Sequence, residues 1–453
     1  MKRVLIGLSF ILFHFSFSVA QSLEECQQAA ERNYPLIKQY GLIEKTTELT
    51  VANIQKGWLP QVSASAQATL QNDVTAFPSQ MQAMYKTMGI DMEGLKKDQY
   101  RVGIDVQQTV FDGGAIKSQK EIARQQGEVQ YAQNEVNLYN VRKRVNEMYF
   151  GLLLIDEQIK LNQDLQDLLA TNEKKLASML KGGTAAESDY LNVKAERLNV
   201  VQQATSLQAQ RQALVRMLSA FCGRPTPGPS LNGGEIIPVK PNIQEALNYL
   251  RPSIQGGEGY RPELKAIDAQ MRLADAQEKA LDALLVPKLG VFAQGFYGYP
   301  GYNMFEDMMS RKFSLNGMIG ARLTWNIGGL YTRKNDKAKL NAQRSMFTVQ
   351  RETFLYNNNL EQIQQNENIE RYRKLMVEDE EIISLRSSIR KAAESKLSHG
   401  IIDVNDLVKE INAENSARVQ QSVHEIEMLK EVYDLRYIQG NPLTNRPFPD
   451  PSL

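Results

Sequence analysis

The sequence predicts a mainly α fold with a smaller β part, built from two copies of one helix–strand–strand–helix–helix unit. Three observations predict it. A proline-bounded helix recurs in both halves of the chain. After each copy the apolar period switches from helical spacing to two. Each strand pair then ends in a double glycine followed by a very long helical segment.

At the N-terminus, Lys2 and Arg3 precede the almost wholly apolar run Val4 to Phe17, and the small-residue sequence Ser18-Val19-Ala20 follows. This predicts a signal peptide over 1–20, cleaved after Ala20. The apolar run is short for a spanning helix. Cys26 follows Ser22-Leu23-Glu24-Glu25 rather than a run of small residues and reads as unlipidated. Loss of the leader lowers Lys plus Arg from 53 to 51 against 52 acidic residues. Nothing in that balance points to nucleic acid. No later run has transmembrane-helix length, so any membrane crossing must be made by strands.

The first repeat is read as 21–222. Pro35 and Pro60 stand 25 residues apart, as do Pro262 and Pro287 in the second repeat, 260–439. The stretches between them are rich in Ala, Lys, Glu and Gln. Proline is tolerated where a helix starts, because the first N–H has no helical partner. An X–Pro step ends one by favouring extended backbone.

Strands are expected at about 61–72, 100–111, 288–299 and 313–327. Val62, Ala64, Ala66, Ala68 and Leu70 alternate with Ser63, Ser65, Gln67, Thr69 and Gln71. Val102, Ile104 and Val106 alternate with Arg101, Asp105 and Gln107. Leu289, Val291, Ala293 and Tyr297 alternate less cleanly, and Leu315, Ile319, Ala321 and Leu323 oppose Asn316, Arg322 and Thr324. Arg101, Asp105 and Arg322 therefore share the polar sides. Gly113-Gly114 and Gly328-Gly329 are read as the strand-to-helix turns, where a missing Cβ permits a sharp change of direction.

Helical hairpins are expected at about 115–221 and 330–437. At ~1.5 Å per residue the first arm of each reaches roughly 100 Å. Val141, Val145, Met148, Leu152, Ile155 and Ile159 step by four and three, a heptad seam. Gly182-Gly183 and Gly400 are read as the hairpin turns. Lys181 closes one helix while Glu187 and Asp189 open the next, in keeping with both helix dipoles, and Thr184-x-x-Glu187 has the capping-box pattern. Residues 223–259, rich in Pro and Gly, read as a linker with a short helix near 243–250, and 440–453 as a tail.

A strand needs about 9–11 residues to cross a bilayer at a tilt. These four are long enough, with one face suited to lipid and one to water. Four strands do not close a barrel, since single-chain barrels begin at about eight. A spanning reading therefore requires several chains to pool strands, eight for a dimer or twelve for a trimer. The other reading is a soluble coiled-coil scaffold without a pore.

The order of elements resembles the TolC outer-membrane efflux protein family. So do Asn33-Tyr34-Pro35, Trp58-Leu59-Pro60, Val110-Phe111-Asp112-Gly113-Gly114, Arg261-Pro262-Glu263-Leu264 and Leu323-Thr324-Trp325 running to Gly328-Gly329. The likeness covers nearly the whole chain after the leader. It implies a homotrimer in the cell outer membrane, with a shared twelve-strand β-barrel and an α-barrel tunnel in the periplasm. The implied role is a passive conduit of an efflux or type I secretion system, opened when a periplasmic adaptor protein and an inner-membrane transporter dock at the tip.

The resemblance also implies a constriction at the tip. Gly183-x5-Asp189 mirrors Gly400-x5-Asp406. Relatives often carry a second acid three residues after the position of Asp406; here Lys409 stands there, so a ring would mix signs. Some relatives latch the tip with an arginine where this chain has Ile402. For Asp406 plain helix capping is the competing role, because Asp403-x-x-Asp406 opens a helix. Trp58 and Trp325 suit an interfacial belt or local packing. Met81, Met84, Met88 and Met92 are soft Cu(I) ligands by type, but the expected role is packing of a short helix. Cys26 and Cys222 are expected as unpaired thiols, with a bridge left open because sequence does not fix their separation. His399 and His424 are isolated after the leader, and no phosphate loop, zinc spacing or nucleophile elbow is present. The chain thus reads as non-enzymatic, with no cofactor.

Overall fold

In the computed structural model, residues 20–92, 94–224, 236–248 and 261–440 are described. The expected leader apart from Ala20, most of the linker, and the tail after Gly440 lie outside them. The chain runs β1 (Ala20–Gln21), α1 (Leu23–Asn33), α2 (Ile37–Gln55), β2 (Gln61–Leu70), α3 (Ser79–Thr87), β3 (Asp98–Phe111), α4 (Ala115–Lys181) and α5 (Glu187–Phe221). It continues with β4 (Ile237–Pro238), α6 (Ile243–Asn248), α7 (Pro262–Leu284), β5 (Lys288–Tyr299), α8 (Met304–Ser310), β6 (Ser314–Thr324), α9 (Gly329–Ser398) and α10 (Val404–Ile438). The helix–strand–strand–helix–helix order occurs twice. Two compact units result: one from the described residues within Met1–Tyr40, Ala132–Lys265 and Arg351–Leu453, the other from Gly41–Tyr131 and Ala266–Gln350.

In the first unit α1 is set by a capping box. Glu25 N–H donates to Ser22 Oγ at 3.2 Å, and Ser22 N–H donates to Glu25 Oε2 at 3.0 Å. Its buried face is Leu23, Cys26, Gln27 and Ala30, the spacing of one helical stripe. That stripe joins a core containing Val145, Tyr149, Phe150 and Leu152 of α4, Leu218 of α5, and Leu429, Val432 and Leu435 of α10. The Tyr149 hydroxyl donates to Gln21 O at 2.8 Å and accepts from Val239 N–H at 2.9 Å. It thereby pins the parallel β1–β4 pair. A second core in this unit gathers Leu165, Leu169 and Leu176 of α4, Val193 and Val200 of α5, Ala393 of α9, and Val404, Leu407 and Ile411 of α10. The α4 seam is buried from Val141 to Leu152. Ile155 and Ile159 are only half-buried.

Arg261 joins distant parts of this unit. Its guanidinium makes a paired contact with Glu263 at 2.9 and 2.7 Å. It also donates to the carbonyls of Tyr437 and Ile438 at 3.3 and 3.0 Å. The rings of Tyr139, Phe354 and Tyr437 surround it. A cation at the last carbonyls of α10 satisfies groups that no helical N–H reaches.

The second unit holds a four-stranded antiparallel sheet in the order β2-β3-β5-β6. Here β6 stops at Thr324, short of the expected 327, because the Trp325 indole turns away to donate to Leu285 O at 2.9 Å. Trp58 is half-buried in the 3-10 turn before Pro60.

Candidate functional site

Register brings the apolar residues of all four strands to one side. Val62 pairs with Val106, Ala64 with Ile104 and Ala66 with Val102. Val106 pairs with Ala293 and Val102 with Tyr297, and Leu289 pairs with Leu323, Ala293 with Ile319 and Tyr297 with Leu315. This side is bare: Ile104 is 55% exposed, Leu323 70% and Ile319 84%. A one-residue slip would send every one of these side chains to the other face, so the apolar set fixes the pairing. Among the described residues β2 and β6 each pair on one side only, leaving two open edges.

Arg101, Asp105 and Arg322 lie on the opposite side. Gln294 Nε2 donates to Asp105 Oδ1 at 2.5 Å. Arg101 stands 3.8 Å over the ring of Phe296 and Arg322 4.9 Å over that of Phe292. This side is therefore aromatic as well as polar, and these two phenylalanines were not singled out by alternation. Each phenylalanine stands against a glycine on the neighbouring strand, Phe296 through its Cβ and Phe292 through its ring. A Cβ on Gly103 would come within 2.9 Å of Phe296 Cβ, and one on Gly320 within 2.8 Å of Phe292 Cζ. The detectable signal was a Phe opposite a Gly across a strand pair.

The two strand-to-helix turns use glycine differently. Gly113 and Gly114 have φ of +67° and +88°, and Asp112 accepts from Gly114 and Ile116 N–H at 2.8 and 2.6 Å to open α4. Gly328 and Gly329 are not left-handed. What Gly329 supplies is room, since a Cβ there would lie 2.9 Å from Leu285 Cδ2.

At the hairpin turns α4 and α9 end alike. Gly183 (φ +74°) donates to Leu180 O at 3.0 Å, and Thr184 N–H to Met179 O at 2.9 Å. Gly400 (φ +69°) donates to Leu397 O at 3.0 Å, and Ile401 N–H to Lys396 O at 2.9 Å. Both are Schellman closures, with Gly182 in the preceding position of the first turn. The expected capping box at Thr184 does not form. Its hydroxyl instead donates to Met179 O at 3.1 Å, at the end of α4. Helix α5 begins two residues later, with Ala186 as N-cap and its N–H donating to Asp189 Oδ2 at 3.4 Å.

Asp403 caps α10 by accepting Asp406 N–H at 2.9 Å. Asp406 and Lys409 are exposed, Asp189 half-buried. Asn192 donates to Asn405 at 3.1 Å and Asn412 to Glu196 at 2.7 Å, holding α5 and α10 side by side. Further along, Glu414 takes Arg390 and Arg418. Although burial opposes it, hydrogen bonds from Arg418 and Arg390 hold Glu414 below the usual glutamate range.

The methionine stripe differs from expectation. Helix α3 has no buried residue, and Met81, Met84 and Met88 are 38%, 47% and 66% exposed. Packing nearby is carried instead by Phe77, Leu95, Tyr299 and Met308. Among the described residues no group of three His, Cys, Asp or Glu is arranged to hold a metal ion, and no helix is long and apolar enough to cross a membrane. His399 contacts Ser395 O, and His424 contacts Asp379 Oδ2, each at 2.7 Å.

No protein-family model matches the sequence, and no curated protein matches it. Solved structures do. CusC, described for its folding and transmembrane channel formation, superposes with a TM-score of 0.66 at 10% identity over 94% of this chain and 93% of its own. The Campylobacter jejuni outer membrane channel CmeC gives 0.62 at 11% identity, over 92% and 85%. The Vibrio cholerae outer membrane protein VceC gives 0.61 at 13%, over 92% and 96%. With its duplicated order of elements, its one-sided sheet and its paired helical hairpins, the chain has the fold of the TolC-type outer-membrane channels.

Proposed function

We propose that this chain is one protomer of a homotrimeric outer-membrane channel, exported by a cleaved leader and acting as a passive, non-enzymatic conduit. The observation that carries this reading is the sheet. It has one exposed apolar face, one face of arginines, acid and amide, and two open edges. Lipid does not tolerate unpaired strand edges, and pooling four strands from each of three chains closes a barrel with its apolar side outward. Arg101, Asp105 and Arg322 then line the water-filled side. The helical hairpins form the periplasmic tunnel, with Gly182, Gly183 and Gly400 at its tip and Asp189, Asp406 and Lys409 around the opening. A periplasmic adaptor protein and an inner-membrane transporter dock at that tip, and the transporter supplies the energy.

Three measurements test this together: envelope fractionation, the mass of the detergent-extracted protein, and conductance in a planar bilayer. A trimer in the outer-membrane fraction that conducts ions is expected. A monodisperse soluble monomer would refute the channel and favour a periplasmic scaffold.

A further inference from the structure

Cys26 on α1 and Cys222 at the C-cap of α5 are 196 residues apart in sequence. Both are buried in the same core, at 0% and 4% exposure. The Cys222 thiol donates to the Cys26 carbonyl oxygen at 3.7 Å, and the Cys26 thiol donates to Gln21 Oε1 at 3.7 Å. Their surroundings are held from both sides. Asn33 Nδ2, at the end of α1, donates to the Cys222 carbonyl at 2.9 Å. The Tyr34 and Phe221 rings stack with centroids 5.8 Å apart. Arg224 N–H closes the α5 terminus on Ser219 O at 2.9 Å.

We propose that Cys26 and Cys222 are a bridging pair, joined by a disulfide in the exported protein so that α1 is fastened covalently to the end of α5. This rests on the exported reading, because such bridges form and persist in oxidising compartments. The oxidant is a disulfide-bearing exchange partner, R–S–S–R. With α1 not yet seated, the Cys222 thiolate attacks one sulfur of the partner. A Cys222–S–S–R bond forms, and the released RS⁻ takes up the proton that Cys222 lost. Seating of α1 delivers Cys26. Its sulfur loses a proton and attacks Cys222 Sγ, and the second RS⁻ leaves with that proton. Two thiols are oxidised, and one disulfide is reduced to two RSH. Once α1 is seated, burial shields the bridge from reducing thiols.

The test counts thiols in the full chain. Cells are quenched in acid and the protein is denatured, then labelled with a polyethylene-glycol maleimide, with and without prior reduction. The envelope-fraction protein should carry no adduct unreduced and two after reduction. Cys26→Ser and Cys222→Ser should each carry one adduct without reduction. Two adducts on unreduced wild type from the envelope overturn the pairing. If the chain proves not to be exported, the purified protein treated with diamide carries the test. Loss of both labelling sites without cross-linking between chains supports the pair, and two surviving sites overturn it. Failure of the channel reading is seen separately, in fractionation and conductance.

Discussion

The Asp403 carboxylate accepts the backbone N–H of Asp406 at 2.9 Å, so α10 is capped by one aspartate and the other is left exposed. Of the two roles that compete for Asp406 in the sequence, side-chain capping is taken by Asp403, and pore lining by Asp406 belongs to the proposed channel. Lys409 follows at i+3, a neighbour on the helix surface. In the proposed trimer, three copies of this pair make a ring of mixed sign. Lys409→Asp should raise the cation preference and strengthen block by multivalent cations, because charge of one sign in a narrow opening concentrates counter-ions. The gain should fade with salt as the Debye length falls from about 10 Å at 0.1 M to about 3 Å at 1 M. Reversal potentials in asymmetric salt measure it. An unchanged potential in a correctly assembled variant would remove Lys409 from the conduction path.

Ile104 and Asp105 are adjacent on β3 and lie on opposite faces, with Ile104 55% exposed and Asp105 hydrogen-bonded to Gln294. Ile104→Arg should lose about 2–4 kcal/mol if it meets the bilayer midplane, seen as loss of trimer on gels. Asp105→Ala should assemble and change conductance. The opposite pattern would reverse the inside and outside of the barrel.

Arg261 is nearly buried and serves carbonyls, a carboxylate and three rings at once. Arg261→Ala leaves Glu263 without its guanidinium partner and removes the donor to the Ile438 carbonyl, while the Tyr437 carbonyl keeps the Tyr139 hydroxyl. Removing one member of a buried pair costs about 3–5 kcal/mol, so the thermal midpoint should drop sharply. Arg261→Lys should recover only part, since an ammonium lacks the planar fork and the stacking face. A lysine variant as stable as wild type would show that charge alone suffices there.

Glu431 is buried on α10, and burial holds its carboxyl above the ordinary glutamate range even though Asn368 donates to it at 3.4 Å. A raised folded value means that the folded state binds the proton more tightly. Its contribution to stability is complete below the unfolded value and is lost as pH rises through the folded one. Glu431→Gln should therefore melt higher than wild type at mildly alkaline pH, and the two should converge below about pH 4. Melting curves across that range decide it. A gap that widens toward acid would contradict the sign.

Much of this architecture was legible because it is written in local periods. Val102, Ile104 and Val106 declare a strand among their own neighbours, and Gly183 and Gly400 declare helix ends. What was hidden depends on partners far along the chain. Phe292 and Phe296 look like breaks in alternation until Gly320 and Gly103 from adjacent strands open space for them. Arg261 reads only as part of a short motif until Tyr437, 176 residues on, comes beneath it. Thr184 has the capping-box spacing, but the closure of α4 takes it. The candidate tip residues come from duplication, by matching Asp189 to Asp406. That the Asp406 side chain stays exposed was not legible, because it depends on Asp403 having done the capping.

The open edges of β2 and β6 have a consequence for how the protein is made. A solitary protomer carries two rows of unsatisfied backbone donors and acceptors beside a bare apolar surface, a ready template for indiscriminate strand pairing. Closure of the proposed barrel is a race between like protomers meeting and that surface adhering to anything else. Its success depends on encounter frequency, and its stability cannot be stated apart from protomer concentration. If protomers pool strands as proposed, biosynthesis of this chain is an assembly-line problem: an excess of subunits over available membrane becomes aggregate rather than reserve.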